Sequence, residues 1–447
     1  MTLQLTENEL KWLELILYER FGQKFTLSKS QNIVKMTLKN HQGAIIFDKN
    51  CNDFGLVKIG NWSPSDEGWM GSISSSLPTP GVRWVSCPLI EQIDGCYFVH
   101  YNIVELIYWM LARVEELEND TVDIHGRFPG AASHAHQCGY LDRPIVDEWL
   151  HILRQVISRQ WPSINLHIHT SKTLVTCDVD SPFEHLDPLY HYARSIGQDL
   201  LRRYSIVSAM RRLTGRILVH GGNYCLDSHW RGIQYIMELN EKLGNTVDFN
   251  FIPMITDKRY DITTDIDNIH VQKLIKEISE RGHKIGVHPG YNSFNDPQTM
   301  QNSLKRFKTV LDQLNIMPEH LSSRQHFLRW DSAITPRLLS DNGVSYDTSL
   351  GYADMPGFRC GTCIEYTMFD VLNQKILPIV QRPLILMECS VISPQYMGLG
   401  YSEEALSVML NLRDNCRNVS GQFTVLWHNS HLQCNDDKIF LERLLTP

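Results

Sequence analysis

From Leu174 onward the chain alternates short apolar, strand-like runs with longer amphipathic, helix-like runs. That alternation is the pattern of parallel β/α units, each strand followed by a helix that packs back over the sheet. The first such run, Leu174-Val175-Thr176-Cys177, leads into Asp178-Val179-Asp180 and is stopped by Ser181-Pro182. On an extended chain, residues two apart face the same side, so Asp178 and Asp180 point together. Two adjacent carboxylates repel and raise one pKa unless a cation shares them. Further strand-like runs are expected at 247–253, 284–287, 320–324, 344–347, 383–387 and 423–427, with an extra one at 217–220. Helices are expected at 188–213, 228–242, 267–281, 297–314, 335–342 and 402–418. These units fill about 270 residues, the span of one (β/α) barrel. No glycine-rich nucleotide fingerprint follows any of the strands.

The residues ahead of this region read differently. Thr6 and Glu9 form a capping box for a helix over 6–22, with Leu10, Leu13, Leu17 and Phe21 on its apolar face and Gly22 at its end. Strands are expected at 33–37 and 43–47, a Gly/Ser/Pro-rich loop at 61–80, and helices at 103–117 and 143–160. Trp161-Pro162 marks the break, which gives a smaller α+β accessory domain over 1–165 and the barrel over 166–447. His125 and Arg127 fall in the first domain and are assigned no catalytic role. His167-Ile-His169 reads as an exposed extended face rather than a metal pair.

Charge and cysteine content narrow the function classes. A net charge of −8 without any Lys/Arg run argues against nucleic-acid binding. No apolar run approaches the ~20 residues of a membrane span, and Met1–Glu7 has neither a basic nor an apolar leader region. Eleven scattered cysteines, an odd count, fit reduced thiols and a cytoplasmic setting. Cys360-Gly-Thr-Cys363 lacks the second pair of a structural zinc site.

In parallel β/α folds the reactive groups sit at the carboxyl ends of the strands. This chain sends Asp178, Asp180, His288, Arg324, Glu388 and His428 to such ends, from five different strands. Carboxylates and imidazoles suit metal-assisted hydrolysis: some hold a divalent metal, another takes the proton of the attacking water, and a distant histidine protonates the leaving group.

The same residues carry a family resemblance. Thr176-Cys-Asp-Val-Asp-Ser resembles the first motif of the polysaccharide deacetylases, the NodB-homology group of carbohydrate esterase family four. The resemblance makes Asp178 the catalytic base and Asp180 a metal ligand. Gly286-Val-His288-Pro-Gly-Tyr-Asn292 resembles the second motif, with His288 a ligand. Arg324-Gln-His326 resembles the third, whose arginine orients the base, and Leu426-Trp-His428-Asn429 the last, whose histidine is the general acid. The likeness is closest to a bacterial branch with Arg-Gln-His-x-Leu-Arg and Gly-Tyr-Ala-Asp-x-Pro-Gly-Phe-Arg, here 324–329 and 351–359, a branch associated with surface-polysaccharide biosynthesis.

One motif departs from the family. Its second metal histidine is Asn292 here, a weaker and harder ligand. Asn292 and His326 are therefore both candidates for that place. By position Glu388 is expected to orient His428. Tyr352, Asp354 and Arg359, in a Gly/Pro-rich loop, are candidate substrate-binding residues. The resemblance implies a distorted NodB-type barrel and a metal-dependent hydrolase, with zinc the expected metal. It would remove the acetyl group of an N-acetylated sugar. The altered second motif leaves two alternatives: a non-catalytic sugar-binding or assembly protein, and a metal-independent amide hydrolase on the same fold.

Overall fold

The computed structural model describes residues 5–30, 33–48, 53–55, 59–117, 119–186, 189–201 and 206–446. The first helix, α1 (Glu7–Phe21), begins at the Thr6/Glu9 capping box and ends at Gly22, whose φ of 71° is the left-handed cap that glycine accepts without strain. Five strands form a mixed sheet beside it: β1 (Phe25–Ser30), β2 (Ile33–Leu38) and β3 (Ile45–Asp48), then β6 (Ile90–Ile93) and β7 (Cys96–Val99), in the order β1-β2-β3-β7-β6. The 61–80 stretch is not all loop. It holds a two-stranded ladder of β4 (Gly60–Trp62) and β5 (Leu77–Thr79), packed where Trp62 stacks on Trp149. The helix expected over 103–117 is broken into α2 (Ile103–Leu111) and a short turn at Val114–Leu117, because Arg113 takes a φ of 53°.

A second sheet of nine strands follows. Its members are β8 (Lys172–Val179), β9 (Val247–Phe251), β10 (Lys284–Val287), β11 (Ser322–Ser323), β12 (Tyr346–Asp347), β13 (Tyr366–Asp370), β14 (Lys375–Gln381), β15 (Leu386–Met387) and β16 (Gln422–Leu426). The order is β13-β14-β12-β11-β10-β9-β8-β16-β15, and every pairing except the β13/β14 hairpin is parallel. The β15 end of this order closes onto the segment that follows β12. The Leu384 N–H donates to the Leu350 carbonyl beyond β12, and Ile385 donates to Thr424 of β16. The result is the distorted (β/α) barrel, with the mixed-sheet domain ahead of it.

Register explains why distant residues meet. Val179 pairs with Phe251, Phe251 with Val287, Val287 with Ser323, and Ser323 with Asp347. The next residues along, Asp180, His288, Arg324 and Thr348, therefore form one tier at the carboxyl end of the barrel. Gly286 lies one step below. A Cβ there would stand 2.2 Å from both Asn250 Oδ1 and Ser322 Oγ, so only a glycine lets those side chains approach inside the barrel.

Two expectations fail on the sheet and its flanks. The run 217–220 is not a strand; it closes a helix, Ile206–His220, in which Ile217 is exposed and Val219 buried. The single helix expected over 188–213 is two, Leu189–Leu201 and Ile206–His220, the residues between them lying outside the described set. The β13/β14 hairpin was not expected. It packs on α1, where Trp12 is fully buried, stacks on Phe369 at 5.2 Å and donates its indole N–H to the Thr367 carbonyl. One continuous apolar core consequently runs through both sheets.

Candidate active site

Asp178 lies in the buried end of β8, one residue before its last, and Asp180 follows the strand. Both line a cavity of about 340 Å³ together with His288, His326, His428 and Arg127. A larger cavity of about 460 Å³, bordered by Lys172, Asp248 and Lys284, opens at the amino ends of the strands and holds none of these groups. In such barrels that face serves stability.

Asp180, His288 and His326 bring one ligand atom each to within 4.8 Å of the others. His288 Nε2 lies 3.3 Å and His326 Nε2 3.5 Å from Asp180 Oδ1. A tetrahedral shell with metal–ligand bonds of about 2.0–2.1 Å has edges of about 3.3–3.4 Å. Both imidazoles spend their other nitrogen elsewhere. His288 Nδ1 donates to the Arg324 carbonyl at 2.6 Å, and His326 Nδ1 to the Asp261 carboxylate at 2.7 Å. Such outer partners fix the tautomer and leave Nε2 to face an ion. Asp180 Oδ1 is buried and accepts no well-aligned hydrogen bond. Donor type, spacing and the unpartnered oxygen all fit a divalent cation.

The electrostatics agree. Burial disfavours charge on His288, yet the Asp178 and Asp180 carboxylates overcome it and raise its pKa. Burial likewise opposes ionisation of Asp180, but the three surrounding imidazoles hold it far below the ordinary carboxylate range. The pocket is thus a place where positive charge, whether proton or metal, is strongly favoured.

Asp178 sits beside this cluster, its Oδ1 accepting from Asn250 Nδ2 at 2.9 Å. Arg324 is fully buried in the barrel and bonds the hydroxyls of Thr176 and Thr348; its Nε stands 3.8 Å from Asp178 Oδ1. The direct hydrogen bond to Asp178 therefore comes from Asn250, with Arg324 at ion-pair distance. His428 follows β16, and its Nε2 reaches to 3.8 Å from Asp180 Oδ2. Behind it Glu388 Oε1 accepts from His428 Nδ1 at 2.6 Å and from the His428 backbone at 2.9 Å. Burial lowers the pKa of His428, but Glu388 and the Cys389 thiol more than reverse this and push it well above its usual value. His431 shares Glu388 Oε1 at 2.9 Å and lies 3.1 Å from Cys389 Sγ. Glu388, Cys389, His428 and His431 also satisfy the spacing of a metal cluster. Their contacts converge on one carboxylate oxygen, which makes this a hydrogen-bonded hub.

Other sequence candidates lie elsewhere. Asn292 is outside the cluster: its amide donates to the Thr256 carbonyl, and Arg329 approaches its oxygen at 3.5 Å. His326 occupies the third position because the tight turn after β11 swings it back under Pro289. Tyr352, Asp354 and Arg359 do not line the cavity. Asp354 accepts the backbone N–H groups of Gly130 and Ala131, Arg359 pairs with Glu116 at 2.8 Å, and the Tyr352 hydroxyl accepts from Arg113. All three fasten the 351–359 loop to the first domain. Cys363 bonds Asp147 through its backbone N–H and thiol.

Sequence reasoning missed Asp261, Asn250, Cys389 and His431, and it set Arg127 aside although that side chain lines the cavity. Asp261 accepts from the backbone and hydroxyl of Thr256 and the backbones of Asp257 and Tyr291, as well as from His326. Burial raises its pKa, but these donors bring it down to about 2. The only local signal for His431 was its place three residues after His428. The turn carrying His326 is strained: Phe327 and Leu328 take φ of 61° and 54°, which costs of order 1–3 kcal/mol per non-glycine residue.

A family model matches part of the barrel region that carries this site. Residues 250–395 match the family described as WbmS-like, polysaccharide deacetylase. Residues 6–162 match DUF7033, a family of unknown function. No curated protein matches the chain. Among solved structures, one from Mycobacterium smegmatis, titled as a polysaccharide deacetylase, is 15% identical. It aligns over 62% of this chain and 84% of its own with a TM-score of 0.40. One from Pseudomonas aeruginosa PAO1 with a like title is 13% identical over 62% and 84%, TM-score 0.38. Puue allantoinase is 12% identical over 62% and 83%, TM-score 0.38. No helix among the described residues is long and apolar enough to cross a membrane. The chain thus matches the WbmS-like polysaccharide deacetylase model over 250–395, behind a segment that matches the model of DUF7033.

Proposed function

We infer that the chain is a metal-dependent N-deacetylase that hydrolyses the acetamido group of an N-acetylated sugar. The observation that carries this reading is the placement of Asp180, His288 and His326 at coordination spacing, flanked by Asp178 and His428. Two imidazoles and one carboxylate are the donor set of catalytic zinc, so zinc is the ion that Asp180, His288 and His326 would hold. When bound, such an ion polarises the acetyl carbonyl and acidifies a water.

The residues divide the remaining chemistry. Asp178, oriented by Asn250 and Arg324, takes the proton of the attacking water. As the carbon–nitrogen bond breaks, His428 Nε2 gives its proton to the departing amine. Glu388 supports the imidazolium from the Nδ1 side, the role a buried carboxylate plays behind a catalytic histidine. The products are acetate and an amino sugar. On the resemblance of its motifs, we assign the substrate to surface-polysaccharide biosynthesis. The test is acetate release from N-acetylated sugars by protein stripped of metal and then reloaded with zinc. Release only after reloading supports the reading; equal release by the stripped protein refutes the metal step.

A further inference from the structure

We propose that the N-terminal domain is a working part of the active site: its 123–128 turn holds the strained 325–328 turn in the shape that aims His326 at Asp180 and His288. The proposal rests on the reading of Asp180, His288 and His326 as an ion site, and its structural half stands without that reading.

The contacts run without a gap from one domain to the other. Arg127 is buried and lines the cavity, although it belongs to the first domain. Its Nη1 donates to the Phe327 carbonyl at 3.0 Å, while Asp123 grips its other side at 2.7 Å. In return Arg329 Nε donates to the His125 carbonyl at 2.7 Å and its Nη1 to the Tyr291 carbonyl at 2.8 Å. The His125 ring bonds the Tyr291 hydroxyl and packs against Tyr260 and Phe327. The Tyr291 backbone N–H in turn donates to Asp261, which holds His326.

Phe327 and Leu328 both sit in left-handed backbone. Residues in such conformations persist only where their surroundings over-determine them. Within the turn, only the bonds from Leu328 N–H to Gln325 and from Arg329 N–H to His326 close it. From outside the turn, Arg127 holds the Phe327 carbonyl, and His125 packs on the Phe327 ring beside Tyr260 and Tyr291 of the barrel. Arg127 is accordingly a positioning residue, acting on the ion site through the Phe327 carbonyl.

The test uses the full chain with Arg127→Ala and His125→Ala. His100→Ala serves as control, since His100 bridges Asp48 and Glu91 inside the first domain, in the five-stranded sheet. Amide hydrogen exchange is read at Leu328 and Arg329 in metal-free protein, and cobalt(II) alone is titrated as the ion. Expected are exchange about tenfold faster and cobalt affinity about tenfold weaker in the first two variants, the lower end of the outer-sphere effect on metal sites, with neither change in the control. Should Arg127→Ala fail to fold, His125→Ala alone decides. Unchanged exchange at the two amides overturns the proposal. If the wild type binds no cobalt and releases no acetate, the deacetylase reading falls, and the exchange measurement still decides whether the first domain holds the turn.

Discussion

Replacing His326 by alanine separates the two candidates for the third ligand. His326 Nε2 stands 3.5 Å from Asp180 Oδ1 and is backed by Asp261, whereas the Asn292 side chain is turned to Thr256. Protein zinc sites release roughly 10–16 kcal/mol on binding, spread over three or four ligands. One ligand of this set is then worth about 2.5–5 kcal/mol, or about two to four orders of magnitude in affinity. Zinc titrated against a chromophoric chelator should show His326→Ala weakened by at least about a hundredfold. Asn292→Ala loses no ligand and should stay within about threefold of wild type. Circular dichroism and a melting curve confirm that each variant is folded. The reasoning is refuted if Asn292→Ala loses the ion while His326→Ala keeps it.

Three other outcomes follow from the same structure. Gly286→Ala drives a Cβ to 2.2 Å from Asn250 Oδ1 and Ser322 Oγ; overpacking of this kind costs about 1–3 kcal/mol, read as a lower urea midpoint, together with slower turnover as Asn250 leaves Asp178. Glu388→Gln removes the carboxylate that keeps His428 charged, so the basic limb of the rate profile should move to lower pH; an unmoved limb assigns that limb to another group. Asp347 is fully buried, and burial raises its pKa from 3.8 to about 6 despite its bonds to Ser349. The folded state therefore holds this proton more tightly than the unfolded state, and stability falls as pH rises from about 4 to about 6, by about 3 kcal/mol. Asp347→Asn should flatten that slope in denaturant melts across this range, and a slope that persists rules Asp347 out as its source.

The shared placement of these polar groups at one end of the barrel was legible because it depends on a simple rule. Apolar runs that end in Asp178, His288, Arg324 and His428 must, in a parallel sheet, deliver those side chains to one end. The capping box at Thr6 was equally legible, since both partners lie within four residues. What stayed hidden depends on the chain folding back on itself. Asp261 lies in an irregular stretch after β9 and gains its place only when Thr256, Tyr291 and His326 surround it. Arg127 reaches the cavity from 200 residues before the Phe327 carbonyl it bonds, and no local pattern marks that contact. The 351–359 loop was misread for a related reason. Tyr352, Asp354 and Arg359 look like sugar-binding groups, but an interface between domains draws on the same side chains. The run 217–220 reads as a strand by its branched side chains, yet it continues the helical face that buries Ala209 and Val219, and tertiary packing overrides propensity there.

The most direct measurement is made on Asp178→Asn, loaded with zinc and assayed for acetate release in a single turnover. If Asp178 takes the proton of the attacking water, the variant binds one ion per chain and releases acetate about 10²–10⁴ times more slowly than wild type. An undiminished rate from the same zinc-loaded variant would contradict the mechanism at its centre.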